Sequence, residues 1–288
     1  MTVRHGTVVT YPAGATGSHG SVVHVAPAGD GRTAVILDRT AFHPVDTAWA
    51  DQPADRGVLR IDDAELAVVD AVVGATQGEQ LLLGRDVPVR TGTEGWTFVV
   101  AHVVEGDGVT TGATAEVRVD AAHRAALSLG HTACHLASLA LDAALADAWR
   151  KTAPLDALGA PAFDALAIQE SRILPDGSRD VYRIGRSLRR KGFDPGALDD
   201  LGALAARVDA QLAAWVGADG AVRIEADGEQ LADRRTWVCE LPGTEVRIPC
   251  GGTHVSSLAE IGAVTVSFEA TAVEGGSELV MTTMAVRA

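Results

Sequence analysis

Asp120-Ala-Ala-His-Arg-Ala-Ala-Leu-Ser-Leu-Gly-His-Thr-Ala-Cys-His-Leu-Ala-Ser-Leu-Ala-Leu-Asp-Ala-Ala-Leu-Ala-Asp-Ala-Trp-Arg-Lys151 is the stretch where the character of the chain changes. It holds no proline and one glycine, Gly130, in a run dominated by Ala and Leu, both strong helix formers. Asp120 reads as an N-cap, and Arg150-Lys151 suit the negative end of a helix dipole. From Ala125 to Trp149 nearly every face is apolar, so this helix is expected to be buried rather than to lie on a surface.

Outward from the helix the pattern turns to strands. Before it, short apolar or alternating runs (Ser21–Val25, Thr33–Leu37, Gly57–Ile61, Glu65–Val69, Trp96–Val100, Thr114–Val119) are separated by Gly, Pro and Asp clusters, which predicts a small barrel or a sandwich. After it, Pro154, Pro161, Pro175 and Pro195 break residues 152–195, and a second helix is expected over Ala197–Trp215, ended by Gly217. Strands return at 236–241 and 246–248 around Pro242-Gly243, and at 263–268 and 279–283 around Gly275-Gly276. The fold class expected is α+β. A small β-barrel-like domain over 1–118 precedes an α+β domain over 119–288, in which a buried helix packs on an antiparallel sheet.

Composition bounds the function. Of 288 residues, 47% are hydrophobic and 22% charged, a globular balance, and no apolar run reaches the ~20 residues a membrane helix needs. No basic-then-apolar leader opens the sequence, so a cytoplasmic location and no membrane partner are expected. Three cysteines, Cys134, Cys239 and Cys250, are too few for a disulfide framework. A net charge of −14 argues against wholesale nucleic-acid binding and leaves room only for a local basic patch. Such a patch exists: Arg172, Arg179, Arg183, Arg186, Arg189, Arg190 and Lys191 face only Asp176 and Asp180 in the same segment. It reads either as a solvated face or as a strip of phosphate contacts with Tyr182 available for stacking. No Gly-rich loop ending in Lys-Ser/Thr is present, so no nucleotide cofactor is expected.

Two short segments carry chemistry. His131-Thr-Ala-Cys-His135 puts two imidazoles on one helix face at i and i+4, and Cys250-Gly-Gly-Thr-His254 lets a thiol and an imidazole converge around a flexible loop. Together they offer three nitrogens and one sulfur, a donor set suited to Zn²⁺. Thr132 stands where a metalloprotease helix carries its glutamate base, so metal, substrate or backbone would have to activate water. Four protein ligands equally describe a closed structural site. His5, His19, His24, His102 and His123 are isolated and read as surface or hydrogen-bonded histidines, and Cys134 and Cys239 as core thiols.

These residues resemble the freestanding alanyl-tRNA editing proteins, the AlaX family, related to the editing domains of alanyl- and threonyl-tRNA synthetases. The resemblance rests on His131-Thr-Ala-x-His135, Cys250-Gly-Gly-Thr-His254-Val, and Asp38-Arg-Thr-Ala-Phe-His-Pro44 with Asp55-Arg-Gly57. It implies a zinc-dependent aminoacyl-tRNA deacylase that acts in trans on the tRNA acceptor end, with His131, His135, Cys250 and His254 holding the metal. By the same resemblance Thr40 faces the aminoacyl side chain, and His43 stands where the family has a tyrosine, which makes it a candidate substrate contact; Thr253, beside His254, is a further candidate for a hydroxyl near the metal. The family's Glu-Gly-Gly-Gly-Gln is replaced by Val45-Asp-Thr-Ala-Trp-Ala-Asp-Gln52, so Gln52 comes late and Trp49 enters the loop. The side chain removed is then of serine or alanine type, or a threonine analogue such as fluorothreonine. Arg183, Arg186, Arg189, Arg190 and Lys191 would contact tRNA. A zinc-stabilised binding module without turnover and a small-molecule metallohydrolase are the competing readings.

Overall fold

The computed structural model describes residues 3–46, 50–62, 64–78, 80–106 and 108–288. Trp49, in the loop that replaces the glycine run, lies outside the described residues. The chain groups into two compact units, the first comprising residues up to Ala125. Residues 224–236 and 249–253 return to the first, and 126–223, 237–248 and 254–288 make the second.

The first unit contains β1 (Val8–Val9), β2 (Gly17–Pro27), β3 (Arg32–Leu37), β4 (Arg39–Thr40), β5 (Gly57–Ile61), β6 (Ala64–Thr76), β7 (Leu81–Leu83), β8 (Thr97–Glu105) and β9 (Thr114–Val119). Seven of them form one sheet in the order β5-β9-β2-β3-β8-β6-β7, and β5 also pairs with β6, which joins six strands in a closed circuit. β3 and β8 show why apolar runs are unbroken here. Val35, Leu37, Phe98 and Val100 enter the main core, while Ala34, Ile36, Val99 and Ala101 enter a second cluster with Val3 on the opposite face. Both faces of these strands are covered, so alternation is lost. At Gly57 a Cβ would meet the Arg118 carbonyl oxygen at 2.1 Å, so only glycine lets β5 lie against β9 there. Residues 224–236 join this unit through main-chain bonds from Val9 N–H to Glu229 and from Leu231 N–H to Thr7, 2.8 and 2.9 Å.

In the second unit α1 (Ala121–Ala144, its first turn belonging to the first unit) is the buried helix. Asp120 caps it as expected, its carboxylate accepting from the Ala122 and His123 N–H groups at 3.0 Å. The helix stops at Ala144, short of Arg150-Lys151. The chain turns through a 3₁₀ segment at Ala146–Ala148 so that Trp149 packs on Phe193 at 5.3 Å, and Arg150 donates its N–H to Gly192. There follow α2 (Phe163–Ala167), β10 (Ile168–Leu174), β11 (Gly177–Gly185), α3 (Arg186–Arg190), α4 (Leu201–Val216), β12 (Val222–Ala226), β13 (Arg235–Leu241), β14 (Thr244–Pro249), β15 (Ile261–Val273) and β16 (Gly276–Arg287). α4 starts at Leu201 rather than Ala197, because Asp194 caps a separate 3₁₀ turn at Pro195–Leu198 and Asp200 caps the helix proper.

β10, β11, β16 and β15 form an antiparallel sheet in that order, and α1 packs on it. Helix and sheet approach closely at Gly130, where a Cβ would meet the Leu174 and Gly177 carbonyl oxygens at 2.3 and 2.5 Å. Asp176 N–H donates to Ala126 C=O at 2.9 Å across the same junction. The Cys134 thiol, a buried core thiol as expected, lies against Asp180. α4 lies along β15, and the Asp209 carboxylate accepts from Val266 N–H. Among the described residues no helix is long and apolar enough to cross a membrane.

Candidate metal centre

α1 presents His131 and His135 one turn apart, and the loop after β14 presents Cys250 and His254. One ligand atom from each of the four lies within 4.8 Å of the others. The His131 ring centroid is 4.3 Å from His254 and 4.9 Å from His135, and His135 stacks on His254 at 5.2 Å. Trp237, fully buried on β13, covers His135 at 4.9 Å. Three imidazoles this close would repel one another if protonated, whereas a divalent cation shared with a thiolate satisfies all of them. The donor set therefore fits a metal ion of zinc type.

Thr132, buried between the two helical histidines in sequence, holds the loop. Its Oγ1 is 3.0 Å from the Ser128 carbonyl oxygen, 3.2 Å from Val255 N and 3.2 Å from His254 Nδ1. A hydroxyl has one proton and two lone pairs. All three contacts are hydrogen bonds only if it donates to Ser128 and accepts from Val255 N–H and His254 Nδ1–H. That protonation of Nδ1 leaves the ligating lone pair on Nε2. Sequence reading saw in Thr132 only a missing base.

Thr253 and Gln52, 201 residues apart, are brought together. The Gln52 amide donates to Thr253 Oγ1 at 2.9 Å and accepts from Thr253 N–H at 3.0 Å. Gln52 thus grips the residue immediately before His254, and both partners are buried.

Thr40 lies at the end of β4 with no exposed surface. Its hydroxyl is 2.8 Å from His102 Nε2 and accepts from Phe42 N–H at 3.1 Å. The segment after it is fixed by a buried ion pair absent from the expected site. Arg124, in the first turn of α1, donates Nε–H to Asp55 at 2.7 Å and Nη2–H to the other Asp55 oxygen, to which His43 N–H also donates. The same guanidinium donates to the Ala41 carbonyl at 2.8 Å and the Ala15 carbonyl at 3.2 Å. His43 is buried edge-on to Tyr11, ring centroids 5.0 Å apart, and among the described residues its Nδ1 has no hydrogen-bond partner. Burial, only partly offset by Asp55, lowers the His43 pKa to about 4, so the ring is neutral. The Asp55-Arg-Gly57 motif signalled Asp55; nothing in the sequence pointed to Arg124.

The basic segment divides by strand alternation. Arg172 and Arg179 are exposed and Arg183 is half-buried, while Arg186, Arg189, Arg190 and Lys191 stand exposed on and after α3. Arg183 donates to the Glu274 carbonyl, and Arg189 to the Gly275 carbonyl at 3.1 Å, so α3 is tied to the β15–β16 turn. A surface hollow lined by Arg186, Arg189, Arg190 and Gly275 results. Tyr182 corrects one expectation. It is fully buried on the inner face of β11 and donates to Asp164 at 3.0 Å, so it is not available for stacking. Asp180 also points inward, accepting from Ser171 and Ser178 at 2.6 and 2.7 Å.

No protein-family model matches the chain. Curated relatives are alanine–tRNA ligases. The enzyme of Parafrankia sp. is 30% identical over 242 residues, 82% of this chain and 23% of the ligase. That of Frankia casuarinae is 30% identical over 245 residues, 84% of this chain and 23% of the ligase. That of Pyrobaculum neutrophilum is 37% identical over 107 residues, 37% of this chain and 9% of the ligase. The chain spans about a quarter or less of the length of the ligases it matches. Over most of its own length, then, it is related in sequence to one part of alanine–tRNA ligases.

Proposed function

We propose that the chain is a zinc-dependent aminoacyl-tRNA deacylase acting in trans. It hydrolyses the ester joining a small or hydroxyl-bearing amino acid, of serine or alanine type or a threonine analogue such as fluorothreonine, to the tRNA 3′ end. The observation that carries this reading is the meeting of His131, His135, Cys250 and His254. Relatedness to one part of alanine–tRNA ligases supports the substrate class.

In this reading 1–118 is a small barrel domain, supported by the circuit that β5–β6 pairing closes, and 119–288 is the editing domain. His131, His135, His254 and Cys250 hold the ion, with Thr132 keeping the His254 ring in register. When bound by these four residues, the ion would supply Lewis-acid polarisation of the ester carbonyl. Thr40 reads the side chain, and the His43 Nδ1 lone pair accepts from the substrate amine. Gln52 fixes Thr253, whose hydroxyl borders the reacting ester. Water adds to the carbonyl carbon, the ester C–O bond breaks, and a proton ends on the ribose oxygen. Arg183, Arg186, Arg189, Arg190 and Lys191 contact acceptor-stem phosphates, which their lack of carboxylate partners among the described residues supports.

Metal analysis of purified protein is expected to find about one zinc per chain. A deacylation screen over tRNAs carrying alanine, serine, threonine, glycine and threonine analogues is expected to find a substrate. His131→Ala and His254→Ala should each lower that activity about a hundredfold or more; undiminished activity in either would refute the centre. The four-ligand set also favours one competitor, a closed zinc that only stabilises a tRNA-binding module. Global unfolding on chelation, with no turnover of any charged tRNA, would select it. Hydrolysis of free amino-acid esters without need of tRNA would select a small-molecule hydrolase.

A further inference from the structure

His102 looked unremarkable in sequence, a lone histidine inside the β8 run. In the structure it has no exposed surface and touches the residue assigned to read the side chain. Its Nδ1 lies 3.0 Å from the Val35 carbonyl oxygen, its Nε2 2.8 Å from Thr40 Oγ1, and its ring stands edge-on to Phe42 at 5.2 Å. A carbonyl oxygen only accepts, so Nδ1 carries a proton. Burial lowers the imidazole pKa to about 4, so near neutral pH the ring holds no second proton and Nε2 is a bare lone pair. The Thr40 hydroxyl must therefore donate to Nε2. Because Oγ1 also accepts from Phe42 N–H, the hydroxyl has spent its proton and one lone pair, and a single lone pair remains.

We propose that His102 is a positioning residue that makes Thr40 a hydrogen-bond acceptor toward substrate, so that the site selects amino acids whose side chains donate a hydrogen bond. The inference rests on the reading of Thr40 as the side-chain contact. A serine or threonine hydroxyl meets the condition, and so does a fluorothreonine, which keeps its hydroxyl. Alanine has nothing to donate. Neither has 3-fluoroalanine, where fluorine replaces the serine hydroxyl at similar size, and this makes it the sharper probe.

The test compares kcat/KM for seryl-tRNA and 3-fluoroalanyl-tRNA in the full chain. The wild type should prefer the seryl ester about tenfold, what one net hydrogen bond supports. His102→Phe releases the Thr40 proton and should bring the ratio to within about threefold. His102→Gln should restore the preference, because its amide can donate to Val35 and accept from Thr40. A preference retained in His102→Phe, or one absent in wild type that hydrolyses both esters, overturns the proposal. Should His102→Phe fail to fold, ¹⁵N NMR of the wild type decides. A proton on Nδ1 with Nε2 bare between pH 6 and 8 supports it, and a proton on Nε2 overturns it. Wild type with the expected tautomer but no hydrolysis of any charged tRNA would instead overturn the deacylase reading, and the selection with it.

Discussion

His43 and His102 in the first unit, and His131, His135 and His254 in the second, are all imidazoles wholly or partly withdrawn from water, and the two units meet that cost differently. In the first the rings stand apart, each kept neutral by burial, with His102 spending both nitrogens on fixed polar partners. In the second the rings crowd within 4.3 to 5.2 Å of one another, an arrangement suited to a shared cation.

The comparison breaks most readily on the first side, at the ion pair behind His43. Arg124→Ala leaves Asp55 buried without its partner and the Ala41 carbonyl without a donor, and should cost about 3–5 kcal/mol. At ~2–4 °C per kcal/mol for a chain of this size, thermal melting should fall by about 10 °C. An unchanged melt would show that this framework does not hold the segment after Thr40. On the second side Thr132→Val removes the acceptor of His254 Nδ1–H while keeping the side chain's shape. Metal affinity, measured with added Zn²⁺ by chelator competition, should weaken about 10- to 100-fold. A wild-type affinity would mean that the ring is held by other contacts.

The smallest effect sharpens the contrast through pH. Burial raises Asp142 to about 8, with Asp164 adding to it, and burial raises Asp164 to about 6. A carboxyl raised in the fold stabilises below its unfolded pKa, and that stability is lost as pH climbs through the folded value. Asp142 and Asp164 thus weaken the second unit from about pH 4 toward pH 8 and pH 6 respectively. His43 and His102, lowered to about 4, act oppositely: the first unit loses stability as pH falls from 6.5 through 4. Asp142→Asn should therefore raise the melting temperature at pH 8 and leave it nearly unchanged at pH 4. An equal shift at both would remove the titration from the account.

What could be read from sequence follows from where apolar side chains carry the information. The covered strands β3 and β8, the capped helix after Asp120 and the two C-terminal hairpins all announce themselves through apolar runs and turn residues. The β10–β11 hairpin does not. Its inward positions include Ser171, Ser178, Asp180 and Tyr182, polar groups buried because they bond one another and Asp164, so hydrophobic alternation fails where packing is tight. The cluster of His131, His135, Cys250 and His254 was legible because two pairs share a spacing. Arg124, Thr132 and His102 were not, because a hydrogen-bond partner distant in sequence leaves no periodicity in the chain.

Gly130 precedes His131, and at that point main chain rests on main chain, with carbonyl oxygens of the β10–β11 turn where a Cβ would stand. Side-chain packing can yield by changing rotamers; two peptide backbones in contact cannot. The height of the paired imidazoles is thereby referenced to a rigid stop one residue away, and adding a single methyl there would jack up the whole ledge that carries them.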